Sequence, residues 1–255
     1  MSRQIFGIQP VREALRVHGA AVRGLLLQKD SDNPKVAGLA RLAEQQGVPI
    51  GQATRSELDR RAKGGMHQGA IAEAPDLALL GLDDLVRKLV GWEHAPAETQ
   101  APLVTLLDGV MDPMNFGAVV RSAVALGPGW IVFPEHGAAP LTPATFRASA
   151  GAIEHATLFR VPSLVPALQV LHEAGGRSVL LEGSAERTLE DEDLTGLIGL
   201  IVGSEDKGAR PAVRKAASVK ARLPMSGRVQ SLNASVAAAL AHYEVGRQRR
   251  RSSNS

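Results

Sequence analysis

Apolar and polar positions alternate along the chain in two patterns, one of helical period and one of short unbroken apolar runs. Gln9 to Val17 has helical spacing, with Pro10 suited to a first turn. Val22 to Leu27 is a short apolar run that reads as a strand. Pro34 to Gln46 puts Val36, Leu39 and Leu42 at core spacing and stops at Gly47. Val48-Pro49-Ile50 and Gly69 to Ala72 predict two more strands, with a short capped helix over Ser56 to Arg61 between them. Residues 1–75 therefore read as a compact layered α/β unit.

The pattern then weakens. Asp83-Asp84-Leu85-Val86 begins a short helix, and Gly91 to Pro102 (GWEHAPAETQAP) is polar and proline-containing, so residues 76–102 read as a linker. From Leu103 the alternation resumes. Strands are predicted at 103–107, 130–133, 157–160, 178–181, 197–202 and 220–223, with helices at 115–126, 142–151, 164–174, 209–217 and 230–248. This predicts an open, mostly parallel sheet with helices on both faces over residues 103–246, followed by a basic tail at 247–255. Ligands of such sheets lie beyond the carboxyl ends of the strands. Three stretches begin at such ends: Asp108 to Arg121 (DGVMDPMNFGAVVR), Ile201 to Gly208 (IVGSEDKG) and Leu223 to Leu240 (LPMSGRVQSLNASVAAAL).

Composition narrows the chemistry. The chain has no cysteine, which excludes disulfides, thiolate metal sites and a cysteine nucleophile. No second histidine lies at ligand spacing from His67, so that residue reads as part of a turn or as an RNA contact, and no metal site is expected. No apolar run has signal-peptide or membrane-span length, which leads to the expectation of a cytoplasmic protein. Residues 1–75 carry eleven Lys/Arg against seven Asp/Glu, and Arg247, Arg249, Arg250 and Arg251 crowd the C-terminus. Those two regions are where a phosphate backbone is expected, the alternative for the tail being a solvated charge run. Aromatics make up 3% of the chain, too few for a base-stacking platform.

No G-x-G-x-x-G follows a strand and no P-loop is present, which sets aside dinucleotide and nucleoside-triphosphate sites. Asp112-Pro113-Met114-Asn115 lacks the aromatic residue that an amino-methylating Asp-Pro-Pro-Tyr run uses to hold a base. Ser231 and Asn233 stand where an alanine-rich helix begins, either as ordinary caps or facing an electron-rich ligand. Gly203 permits close approach of a ligand to the backbone, and Gly208 has the equal reading of a left-handed turn residue.

In order, spacing and identity the three stretches resemble the signature motifs of the SpoU branch of the knotted SPOUT methyltransferases, which methylate a ribose 2′-oxygen in RNA with S-adenosylmethionine. The resemblance implies a trefoil-knotted catalytic domain and a homodimer formed through the knot region. It implies a catalytic set of Asn115, Arg121, Glu205, Ser231 and Asn233, and a cofactor wall around Gly203, Leu223, Met225 and Leu232. Arg121 is the family's candidate for activating the hydroxyl. Because guanidinium stays protonated, holding a phosphate and favouring the alkoxide electrostatically fits it better than a base role. Glu205 is the alternative proton acceptor, or else a structural partner of Arg121 or Lys207. Asp206 departs from the glycine or small residue common in the family, which makes the turn more acidic. Ala139 to Pro143 and Ser149 to Ala152 also match, and are expected beside the site. Ile5-Phe6-Gly7 and Met66-His67-Gln68-Gly69 resemble the small ribosomal-protein-like RNA-binding domain of the subgroup that methylates a guanosine of 23S ribosomal RNA. Ribosomal RNA is thus expected as substrate. The alternatives are a transfer-RNA 2′-O-methyltransferase and a non-catalytic RNA-binding or ribosome-assembly factor on the same fold.

Overall fold

The computed structural model describes residues 2–94, 101–229 and 231–252. These form two compact units, one of residues 1–77 and 141–155 and the other of residues 78–140 and 156–255.

The first unit opens with β1 (Ser2–Phe6), α1 (Ile8–His18), β2 (Gly24–Gln28), α2 (Pro34–Gln45), β3 (Ile50–Ala53), α3 (Arg55–Ala62) and β4 (Ala70–Pro75). The four strands form one sheet in the order β1-β4-β2-β3, parallel only between β2 and β3. Strand β1 has no counterpart in the sequence pattern, because only Ile5 and Phe6 of its five residues are buried. Asn33 caps α2 and Thr54 with Glu57 forms a capping box at α3. The His67-Gln68-Gly69 segment is a structural turn. His67 Nδ1 accepts from Gly69 N at 3.0 Å, its Nε2 lies 2.9 Å from Asp59 Oδ1, and Gln68 Oε1 accepts from Ile8 N at the start of α1.

The second unit begins inside the stretch that the sequence pattern reads as a linker. β5 (Leu79–Leu80) and α4 (Leu82–Glu93) belong to it, and Leu85 and Leu89, one turn apart, bury in its core. This is the short helix expected from Asp83, and it runs on to Glu93, into the stretch read as linker; residues 95–100 of that linker lie outside the described residues. Then come β6 (Leu103–Asp108), α5 (Pro113–Leu126) and β7 (Trp130–Pro134).

Residues 141–155, with α6 (Pro143–Ala148), group with the first unit instead. Their anchor is Glu154, whose fully buried carboxylate takes Arg3 through both guanidinium nitrogens and His18 Nε2 at 2.9 Å. Gly151 has a φ of +84° and lies so close to α1 that a Cβ would sit 2.9 Å from Pro10 Cα. At the start of the segment expected beside the catalytic site, within the second unit, Ala139 N donates to Val110 O at 3.0 Å.

The second unit finishes with β8 (Thr157–Val161), α7 (Leu164–Glu173), β9 (Arg177–Leu181), β10 (Ile198–Gly203), α8 (Pro211–Ala216), β11 (Val219–Ala221) and α9 (Ala234–Ser252). Its sheet runs β11-β9-β10-β6-β7-β8-β5 and every pairing is parallel. All six residues of the central strand β6 are buried, as expected of a parallel strand covered on both faces.

Helix α9 packs on α5 with Ala234, Ala238, Ala241 and Val245 buried. His242 is buried with them. Its Nδ1 donates to Ala238 O at 2.7 Å and its Nε2 accepts from Thr105 Oγ1 of β6 at 2.9 Å. Burial pushes its pKa down, partly opposed by the Ala238 bond. The arginines expected as a basic tail are instead the last turns of α9 as far as Ser252. Arg249 is buried, and its guanidinium donates to the carbonyls of Ala101, Pro102, Leu194 and Gly196. Arg247 pairs with Glu244 one turn back. Residues 253–255 of the expected tail lie outside the described residues.

Candidate active site

The carboxyl ends of β6, β10 and β11 carry the three motif stretches. Asp108, the buried last residue of β6, accepts from Arg210 N and Arg210 Nε, each at 2.6 Å. That pair pins the chain where it leaves the Ser204–Gly208 turn, which is closed by Ser204 N to Gly208 O at 3.1 Å and Gly208 N to Ser204 O at 2.9 Å. Gly208 has a φ of +64°, so the left-handed turn reading holds for it. At Gly203 the need for glycine comes from the turn's own backbone: a Cβ there would lie 2.4 Å from Ala209 N and Gly208 C.

Asp112 caps α5 by accepting from Met114 N and Asn115 N, which holds Asn115 in the first turn. Asn233, one residue before α9, is that helix's cap. Its Oδ1 accepts from Ser235 N at 3.0 Å and Val236 N at 3.3 Å, and this aims its amide nitrogen away from the helix. Asn233 Nδ2 donates to Asn115 Oδ1 at 2.9 Å and also to Glu205 Oε1, to which Asn115 Nδ2 donates at 3.1 Å and Ala234 N at 3.2 Å. Oε1 of Glu205 thus has three donors, while Oε2 has no partner among the described residues. Glu205 is bonded to Asn115 and Asn233, not to Arg121 or Lys207.

The turn bearing Glu205 stands between two cavities. One, of about 310 Å³, is lined by Gly203, Leu223, Met225, Ser231 and Leu232, with Leu180 and Glu182 from the end of β9. The other, of about 520 Å³, is lined by Val110, Met111, Asp112 and Asn115 and by the 204–211 segment. Glu205, Lys207 and Ala234 border both. The structure therefore gathers all four residues expected at the cofactor wall around the first cavity, together with Ser231, and joins Asn115, Glu205 and Asn233 at its border with the second. Ser231 is exposed and lies two residues before Asn233, which does the capping. Arg121 is not brought into this group. It is exposed on α5, lines neither cavity and has no polar partner among the described residues. Six residues along a helix put it about 9 Å and 120° from Asn115. Glu182, missed in the sequence, is signalled there only by its place just after the β9 apolar run. Among the described residues no group of three or more His, Asp or Glu is placed to hold a metal ion.

Two neighbouring cavities at the carboxyl ends of the strands, divided by the turn that bears Glu205 and its amide–carboxylate network, are the arrangement of an open α/β enzyme that brings a small bound ligand to a second substrate. The chain belongs to the SpoU rRNA methylase family, whose model matches residues 102–243, and residues 4–79 match the model described as RNA 2′-O ribose methyltransferase substrate binding. It is 37% identical to the 23S rRNA (guanosine-2′-O-)-methyltransferase RlmB of Pseudomonas syringae pv. tomato over 96% of each chain. It is 35% identical to an uncharacterized tRNA/rRNA methyltransferase of Mycolicibacterium vanbaalenii, over 96% of this chain and 76% of that one. Among solved structures, the SpoU methyltransferase AviRb from Streptomyces viridochromogenes in complex with AdoMet superposes with a TM-score of 0.77 at 25% identity, covering 98% of this chain and 91% of that one.

Proposed function

We propose that this protein is an S-adenosylmethionine-dependent methyltransferase acting on a ribose 2′-hydroxyl of a guanosine in 23S ribosomal RNA. The observation that carries the reading is the placement of Glu205, held by Asn115 and Asn233, on the wall shared by two cavities. The first cavity suits the cofactor: Leu180, Leu223, Met225 and Leu232 offer a face to a flat base, and its volume falls at the low end for small-molecule sites. When bound, the cofactor supplies an electrophilic methyl group on a sulfonium.

The chain's own residues do the rest. Asn115 and Asn233, fixed by two helix starts, hold Glu205, and the free Oε2 of that carboxylate is the acceptor for the proton the 2′-hydroxyl loses as its oxygen gains the methyl. Arg121 holds an RNA phosphate, and its unpaired exposed guanidinium supports that role. Residues 1–75 contribute RNA affinity. The protein works in the cytoplasm as a homodimer joined through the exposed stripe of Val236, Leu240 and Tyr243 on α9, whose opposite, alanine face is already buried on α5. Among the described residues no helix is long and apolar enough to cross a membrane.

Mapping ribose methylation across ribosomal and transfer RNA in cells with and without the protein tests the reading. One 23S guanosine is expected to lose its methyl group; loss on a transfer RNA, or none at all, overturns the substrate. Arg121→Ala is expected to slow methylation about tenfold or more while leaving cofactor affinity near wild type. Arg121→Lys is expected to recover only part of that, since an ammonium lacks the forked contact to phosphate.

A further inference from the structure

Glu182 follows β9 directly, beside the strand whose end carries Gly203. Its backbone is fixed, with Glu182 N donating to Ala221 O at 3.0 Å and Ala185 N donating to Glu182 O at 3.1 Å. The side chain is 18% exposed and borders the first cavity. One carboxylate oxygen, Oε1, accepts from Arg214 Nη2 and, at 2.8 Å, from Ser184 Oγ. The other, Oε2, has no partner among the described residues. A carboxylate oxygen with unused acceptor capacity on the wall of a ligand cavity is placed to take a donor from the ligand.

We propose that Glu182 recognises the ribose of the nucleoside cofactor, with Oε2 accepting from its hydroxyls. This rests on the cofactor reading above. Charge decides between the ribose hydroxyls and the ammonium group as its donor. Arg214 already neutralises Glu182, so the pair has no net charge to attract the ligand's ammonium group, whereas a carboxylate oriented by a guanidinium remains a strong acceptor for neutral hydroxyls. A carboxylate past a strand end that reads ribose hydroxyls is also the solution reached by dinucleotide-binding sheets, on a motif this chain lacks. Arg214 and Ser184 are positioning residues for it.

Calorimetry with S-adenosylhomocysteine, its 2′-deoxy and 3′-deoxy analogues, and methylthioadenosine, which lacks the amino-acid part, tests the assignment. The wild-type protein is expected to bind at least one deoxy analogue about tenfold more weakly than the parent. In Glu182→Ala and Glu182→Gln the parent weakens and that discrimination shrinks, to about twofold in the alanine variant. Methylthioadenosine feels Glu182→Ala as strongly as S-adenosylhomocysteine does. Full discrimination retained in a folded Glu182→Ala protein overturns the proposal, and so does wild-type protein that binds both deoxy analogues as well as the parent. Methylthioadenosine binding indifferent to the substitution also overturns it, in favour of the ammonium group. Heat from none of these ligands with wild-type protein removes the cofactor reading itself, and this assignment with it.

Discussion

At the start of α9 Asn233 turns outward, bonding to Asn115 and Glu205 on the wall of two cavities, whereas near its end Arg249 turns inward onto four backbone carbonyls. Both are dense polar clusters on one helix. The first leaves capacity unused, since Oε2 of Glu205 has no partner among the described residues and the surrounding side chains are partly open to solvent. The second is closed: the guanidinium is buried and donates to Ala101, Pro102, Leu194 and Gly196, and burial lowers its pKa. A polar group with capacity left over is available for a ligand; one that is fully used holds the fold together.

Arg249→Ala is expected to have the largest effect. It strips donors from several carbonyls that converge where β6 begins, at a cost to stability of about 3 kcal/mol by the usual cost of unsatisfied buried groups. Urea denaturation followed by circular dichroism measures it, and a loss below about 1 kcal/mol would show that water replaces the arginine. Glu205→Ala is expected to do the reverse. Stability changes little, because the carboxylate is exposed, while the single-turnover methylation rate falls about 100-fold, within the range for a lost proton acceptor. A rate within threefold of wild type would reduce Glu205 to a brace for the two asparagines.

The same contrast shows what was legible in the sequence. The parallel sheet and most of its strands were readable from the apolar runs, and strand ends indicate where ligands lie, whereas Gly203, Leu223, Met225 and Leu232, which line the first cavity, were expected there from the family resemblance of the motif stretches. The Arg247–Arg251 run was misleading, since charge counting cannot see that Arg249 falls on the buried side of a helix that continues to Ser252. Helix α4 was legible from its start at Asp83, but not that Leu85 and Leu89 bury in the second unit, and the grouping of residues 141–155 with the first unit depends on Glu154 meeting Arg3 and His18 from far along the chain. No local pattern encodes such a meeting. Glu182 was overlooked because its meaning comes from Arg214, which uses one of its oxygens and not the other.

A third substitution probes the outer face of α9. Val236 and Leu240 are each 46% exposed and Tyr243 54%, so Leu240→Glu places a charge in water in the isolated chain and leaves its fold intact. In the proposed dimer each carboxylate would be buried without a partner, which is expected to weaken association about tenfold or more. Sedimentation at micromolar concentration reads this directly. Wild-type protein that is monomeric there and still methylates RNA removes the dimer.

The smallest expected effect concerns His242, midway between the two ends of α9. Its ring is fixed neutral, donating to Ala238 O and accepting from Thr105, and burial holds its folded-state pKa below the ordinary value of 6.5. Above pH 6.5 neither the folded nor the unfolded chain carries this proton, and the stability from burying the neutral ring is fully present. As the pH falls below that value the unfolded chain takes up a proton that the folded chain refuses. Stability therefore declines, by at most about 1.4 kcal/mol one pH unit further down for a single group. His172, whose pKa burial also lowers, acts in the same direction, so the wild-type slope alone does not isolate His242. Subtracting the slope of a His242→Leu variant does, because His172 is common to both proteins. Between pH 7.5 and 5.5 wild type is expected to lose more stability than the variant, by up to about 1.4 kcal/mol. Parallel stability curves would mean that His242 takes its proton inside the fold, against Thr105 and the buried face of α9.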